Sequence, residues 1–177
     1  MGRPEEHEYS AYFSKYINSI PDGDIIQILQ QHSEEMNQFL NKFSEEQALF
    51  KYAEDKWSIK EVVGHVIDTE RIMAYRLLCI ARGETVSLPG FNENTYVQNA
   101  DFNRYTIQEL REDFAVVRKA TLQLLKRLEP KAWLREGTAN SSLVTARAIA
   151  YIIAGHELHH RNIISNRYMQ SDMFPLI

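Results

Sequence analysis

Three histidines and a glutamate interrupt an otherwise apolar run, IAYIIAGHELHHRNII, at residues 149–164. A helix through this run advances about 100° per residue, which places Ile149, Ile152, Ile153, His156, His160 and Ile163 on one stripe. His156 and His160 are four positions apart, so their imidazoles stand about one turn apart on the same side, within reach of a single cation. An imidazole turned toward a core needs a hydrogen bond or a metal to offset its desolvation. One inward histidine is most often a satisfied core residue, whereas a pair on one apolar stripe points to metal binding. His159 falls toward the edge of the stripe, and Glu157 falls well off it.

A third histidine comes from an earlier helix pattern. His65 lies beside an apolar centre of Val62, Val66, Met73, Leu77 and Ile80. Thr69, Ile72 and Arg76 are on its own side, and Asp68 is on the same turn. Hydroxyl, carboxylate and guanidinium around an imidazole suit the lining of a pocket. A mononuclear site of His65, His156 and His160 takes two ligands from one helix and one from a neighbour. Three neutral imidazoles suit Zn²⁺, Ni²⁺ or another divalent first-row ion and leave coordination positions for water and substrate. Such an ion lowers the pKa of bound water toward ~7 or holds a thiolate. Asp68 and Arg76 are the candidate catalytic or substrate-binding residues, with Glu157 as a weaker general base.

Two other metal patterns fit less well. His156-Glu157-Leu158-His159-His160 matches H-E-x-x-H, the zincin protease pattern. Beyond His160, however, the chain has no further His or Glu, and no strand pattern precedes the motif. A di-iron carboxylate bundle wants Glu-x-x-His on each of two helices. Glu157 and His160 supply one, but Glu61 stands four residues before His65, not three.

Helices must position these groups. Asp24 opens a helical period over 24–42, in which His32 is either an edge residue or a further polar lining group. Ser44 to Gln47 has the form of a capping box and starts a short turn running to Phe50. Ser58 and Glu61 form a better one, with Trp57 stapled onto Val62, so helix two runs 59–82 and stops at Gly83. Residues 83–105 hold no sustained period and read as a long loop able to line or lid a site. Thr106 caps helix three, which runs to Pro130. A polar linker over 137–142 leads to helix four at 143–168, followed by a surface tail at 169–177. Residues 1–20 read as a tail or a short helix packing through Tyr12, Phe13 and Tyr16, ahead of a single domain over 21–177. With no period-two alternation and no hairpin dipeptide, the fold class is all-α, a four-helix bundle with its long loop between helices two and three. Arg111, Arg118, Arg161 and Arg167 are assigned to the surface.

Composition narrows the functional classes. The chain has 177 residues, 44% of them hydrophobic, enough for one proper core. A net charge of −4 without a basic run argues against nucleic acid. No stretch approaches the ~18 apolar residues of a membrane span, and the polar N-terminus lacks the core of a signal peptide. A lone cysteine, Cys79, cannot form an internal disulfide, which suits the cytoplasm.

The block Trp57-Ser58-Ile59-Lys60-Glu61-Val62-Val63-Gly64-His65-Val66-Ile67-Asp68-Thr69-Glu70, followed by His156-Glu157-Leu158-His159-His160, resembles the DinB/YfiT-like superfamily of metal-binding four-helix bundles. The likeness covers about 24–168, and the Leu88-Pro89-Gly90-Phe91 loop is similar to one that many members carry. This resemblance implies His65, His156 and His160 as ligands, an up-down-down-up bundle and a homodimer. It also implies a small-molecule substrate and, among characterised relatives, S-transferases and isomerases that use a low-molecular-weight thiol as co-substrate. Two functions follow: a thiol-dependent S-transferase or related hydrolase, and a non-catalytic, stress-related metal-binding or scaffold bundle.

Overall fold

The computed structural model describes residues 2–176. Met1 and Ile177, the outer ends of the expected 1–20 segment and 169–177 tail, lie outside the described residues. In chain order the helices are α1 (Ser14–Asn18), α2 (Ile25–Leu40), α3 (Glu45–Ala48), α4 (Ile59–Arg82), α5 (Glu93–Ala100), α6 (Ile107–Leu125), α7 (Pro130–Trp133) and α8 (Ala146–Ile163). An antiparallel hairpin, β1 (Glu136–Ala139) and β2 (Ser142–Thr145), precedes α8.

The long helices begin where side chains satisfy their first amides. At the start of α4 the Ser58 hydroxyl accepts from the Glu61 amide at 3.1 Å, and the Glu61 carboxylate accepts from the Ser58 amide at 2.6 Å. Thr106 and Glu109 repeat this reciprocal cap on α6, Asp24 caps α2, and the Thr145 hydroxyl accepts from Ala148 on α8. Each cap removes orphan donors that would otherwise need water. Gly83 ends α4 at φ 89°, a left-handed conformation that glycine adopts without a Cβ penalty.

Around the bundle the neighbours run α2, α6, α4, α8, so that α2 lies diagonally across from α4 and α6 across from α8. Cross-links fix the directions. Arg118 donates to the Leu29 carbonyl while Arg111 bonds Asn41, so α2 and α6 are antiparallel. Glu45 bridges Lys60 and the Ile107 amide, while Glu70 meets Arg118 ten residues further along α4, so α4 and α6 are parallel. His65 faces His156, and Trp57 accepts from Tyr168, so α4 and α8 are antiparallel. His32 with Glu157 and Glu35 with Arg161 make α2 and α8 parallel. The topology is therefore up-down-down-up.

The core divides into two apolar clusters. One gathers Leu29, Leu77, Leu125 and Ile149, and the other Met36, Val62, Phe114 and Ile164. Between them, each long helix contributes polar side chains at the same level: His32, Glu70, Arg118 and the turn that holds His156 and Glu157. Arg118, expected on the surface, is 0% exposed; its Nε and Nη2 donate to the two Glu70 oxygens at 2.8 Å each. Its charge is matched from α4, which no pattern within α6 reveals.

The hairpin corrects the polar linker expected at 137–142 and the helix start expected at 143. Glu136 pairs with Thr145 and Ala139 with Ser142. Asn140 and Ser141 turn the chain at φ 50° and 61°, the primed turn whose twist suits a hairpin. Leu88 zips onto this turn, donating to the Thr138 carbonyl and accepting from the Asn140 amide, each at 2.9 Å. The 83–105 connection is not structureless either. It carries α5, capped by Asn92, and a 3-10 turn at Phe102–Arg104.

The N-terminal segment forms 3-10 turns at Glu6–Glu8 and Ala11–Phe13, then α1, which packs on α8. Glu8 ties it down by accepting from Arg147 and from the Thr145 hydroxyl. A Cβ at Gly155 would collide with the Tyr16 carbonyl, so glycine lets α1 approach the α8 backbone. Among the described residues, no helix is long and apolar enough to cross a membrane.

Candidate metal centre

His65 comes from α4, and His156 and His160 from one face of α8. Their ligand nitrogens all lie within 4.8 Å of one another. The Nε2 atoms of His65 and His156 are 3.1 Å apart, and ring centroids are 4.9 Å apart for this pair, 4.8 Å for His65 and His160, and 4.5 Å for His156 and His160. The Thr69 hydroxyl stands 3.5 Å from His65 Nδ1, one turn along α4. With that nitrogen donating to the hydroxyl, Nε2 presents a lone pair to the other two rings.

Burial makes these rings neutral. It pushes His65 down to about 4 and, with neighbouring histidines adding to it, His160 down to about 3. His156 is held well below the usual imidazole range by burial first, then by His160 and His65. Three neutral imidazoles with nitrogens converging from two helices form a donor set suited to a divalent first-row ion. A metal–nitrogen distance of ~2.0–2.1 Å sets tetrahedral ligand nitrogens roughly 3.4 Å apart, inside the 3.1 to 4.8 Å range that these side chains span. The residues present therefore fit the ion.

The cluster opens into a cavity of about 610 Å³ lined by Tyr16, Trp57, Thr69, Met73, Arg76 and Phe91 among others. Trp57 packs 5.0 Å from the His65 ring. Tyr16 stands edge-on to His156 at 5.6 Å and to His159 at 5.3 Å. Glu93, at the start of α5, brings a carboxylate oxygen to 3.9 Å from His65 Nε2 and is 57% exposed. Sequence reasoning missed Tyr16, Trp57, His159 and Glu93 as wall residues. Trp57 showed only as a helix staple, and the other three are placed by long-range packing, although the 83–105 segment as a whole did read as a possible lid.

The structure brings together His65, His156, His160 and Arg76, but not Asp68 or Glu157. Asp68 accepts at 3.3 Å from Arg71, three residues along α4, which also reaches Asp113 on α6. It lies about 60° around the wheel from His65 on the side away from Thr69. Burial raises its pKa against the opposing pull of Arg71. Glu157 is one residue, about 100°, past His156 and faces α2. There it is 1% exposed, with its oxygens 3.0 Å from His32 Nδ1 and 3.0 Å from Arg161 Nε. In the zincin reading this glutamate is the base beside the metal; here it pairs with His32 on α2 and with Arg161 on its own helix. His32 is likewise a partner of Glu157 and does not line the cavity.

The chain is thus an up-down-down-up helical bundle with a three-histidine cluster open to a cavity. A model of the DinB superfamily matches residues 28–164, most of the chain. The chain belongs to that superfamily. Among solved structures it is similar to YfiT from Bacillus subtilis, described as a probable metal-dependent hydrolase with an unusual four-helix bundle topology. That similarity is at 17% identity and a TM-score of 0.75, over 82% of this chain and 85% of that one. It is also similar to the DinB-like protein YjoA from Bacillus subtilis, at 22% identity and a TM-score of 0.59, over 87% of this chain and 97% of that one. No curated protein matches the sequence.

Proposed function

We propose that the chain is a metal-dependent enzyme acting on a small molecule, with His65, His156 and His160 holding one divalent ion, Zn²⁺ or Ni²⁺. The observation that carries this reading is the convergence of three neutral imidazoles, one buried and two half-buried, at a cavity of about 610 Å³. Bound there, the ion would supply a lowered pKa for a nucleophile, water in a hydrolase or a low-molecular-weight thiol in an S-transferase. Thr69 holds the His65 ring in orientation, Tyr16 and Trp57 exclude water from the rings, and Glu93 is placed to take a proton near His65 Nε2. Arg76 and Phe91 form the wall farther from the histidines.

A stress-related scaffold is the rival reading, and a cavity plugged by Phe91 or Tyr96 would favour it. Phe91 lines the cavity without filling it, and Tyr96 is 46% exposed on the outer face of α5. As part of the same proposal the enzyme works as a homodimer in the cytoplasm, supported by the family resemblance and the single cysteine.

The test is metal content and turnover on one preparation. The expected result is one Zn²⁺ or Ni²⁺ per chain and turnover within a panel of electrophiles with thiols, or of esters and amides without them. His156→Ala should lose both. Full activity after chelation, or no stoichiometric metal, would overturn the reading; thiol-independent turnover would assign the hydrolase.

A further inference from the structure

Arg76 lines the same cavity as the histidines. It follows His65 on α4 by about three turns, which returns it to nearly the same side of the helix. The side chain is 5% exposed. Nη2 donates to the Pro89 carbonyl at 2.6 Å, Nη1 lies 3.7 Å from the Met73 sulfur, and the guanidinium carbon is 5.8 Å from the centre of the Phe91 ring. Burial pulls its pKa down, and no carboxylate among the described residues offsets this. Arg118, Arg147 and Arg161, also drawn into the bundle, each hold a glutamate.

A desolvated guanidinium with one carbonyl partner is costly, and its remaining donors form a fork that fits a planar anion. We propose that Arg76 anchors a carboxylate of the small molecule that enters this cavity, with its body along Met73, Ile149 and Ile152 and its reactive end at the histidines. This rests on reading the cavity as the substrate site. One fixed charge matches a carboxylate better than a phosphate dianion. Lys15, the other lysine or arginine of the wall, is exposed and lies over the Tyr16 ring at 4.7 Å. The backbones at 65 and 76 are separated by roughly 16 Å of helix rise, which the two side chains shorten. The acid therefore carries an alkyl or aryl spacer.

The probes are 3-phenylpropionate and hexanoate, each compared with its neutral amide and with inorganic phosphate. They are titrated by calorimetry into the metal-free chain, so that no acid scores by coordinating an ion. The expected result is at least one acid binding ~10-fold or more tighter than its amide, as a charge-assisted hydrogen bond gives. Arg76→Gln should erase the difference, and Arg76→Lys should keep part of it. Equal affinity of acids and amides, no binding of either acid, or tighter binding of phosphate would overturn the assignment. Should Arg76→Gln not fold by circular dichroism, the acid-to-amide comparison on the natural chain decides. Zinc stoichiometry on the same preparation separates the two proposals. A chain that prefers acids but takes no zinc keeps this inference and loses the metal-dependent function; one zinc with no acid preference does the reverse.

Discussion

Acidification of the metal-free chain tests the histidine cluster through stability alone. His65 is 4% exposed, and burial takes its pKa from 6.5 to about 4. The folded chain therefore holds this ring neutral over a range where the unfolded chain protonates it. Between these values the unfolded state binds more protons, so stability falls as pH falls. The contribution is fully present above pH 6.5, declines on the way down to about 4 and is constant below that. The loss is on the order of 3 kcal/mol, a large part of the ~5–15 kcal/mol that holds a typical domain. Carboxylates also titrate in this window, so the measurement needs a difference. Urea unfolding of the chelated natural chain and of His65→Gln, at pH 7.5 and pH 4.5, isolates the histidine. The natural chain should lose more, by about 2–3 kcal/mol. His65 also depresses His156 and His160 through its charge, so its removal relaxes them and widens the gap. Identical pH dependence in the two proteins would mean that His65 is solvated in the folded chain, and the converging cluster would be refuted. Saturating zinc at ~100 times its Kd should add about 2.7 kcal/mol to the metal-free chain near neutral pH.

Two further substitutions probe the frame around the site. Glu70→Gln leaves the 0% exposed Arg118 without its counter-charge; it should cost ~3–5 kcal/mol by chemical denaturation, and Arg118→Met added to Glu70→Met should recover most of that. Gly155→Ala places a methyl against the Tyr16 carbonyl; it should cost ~1–3 kcal/mol and loosen α1, read as faster amide exchange across residues 14–18.

The parts legible in the sequence are those set by local chemistry. Ser58, Glu61 and Gly83 gave both ends of α4 because caps and left-handed turns act within a few residues. The spacing of His156 and His160 gave one face of α8 for the same reason. Features that needed a distant partner were not legible. The hairpin pairs four-residue strands through a turn with Ser141 where glycine is the stronger signal, and Leu88 completes it from another connection. Arg118 looked like a surface residue because Glu70, its counter-charge, sits on α4. Glu157 was placed off the ligand stripe correctly by angle, yet its partners on α2 follow only from the parallel packing of α2 and α8.

Topology also explains why the site has the walls it has. Because α4 and α6 run parallel, the chain leaving α4 at Gly83 must travel back along the bundle to begin α6 at Ile107. An antiparallel pair could have closed this gap with a few residues. The return path crosses the open side of the cavity, and it deposits Pro89 on Arg76, Phe91 on the wall and Glu93 beside His65. The long connection, read from the sequence as a loop able to line or lid a site, is thus demanded by the helix directions. Shortening it would have to break the zipper between Leu88 and the hairpin or withdraw α5 from the histidines, so a deletion there should change the cavity before it changes the bundle.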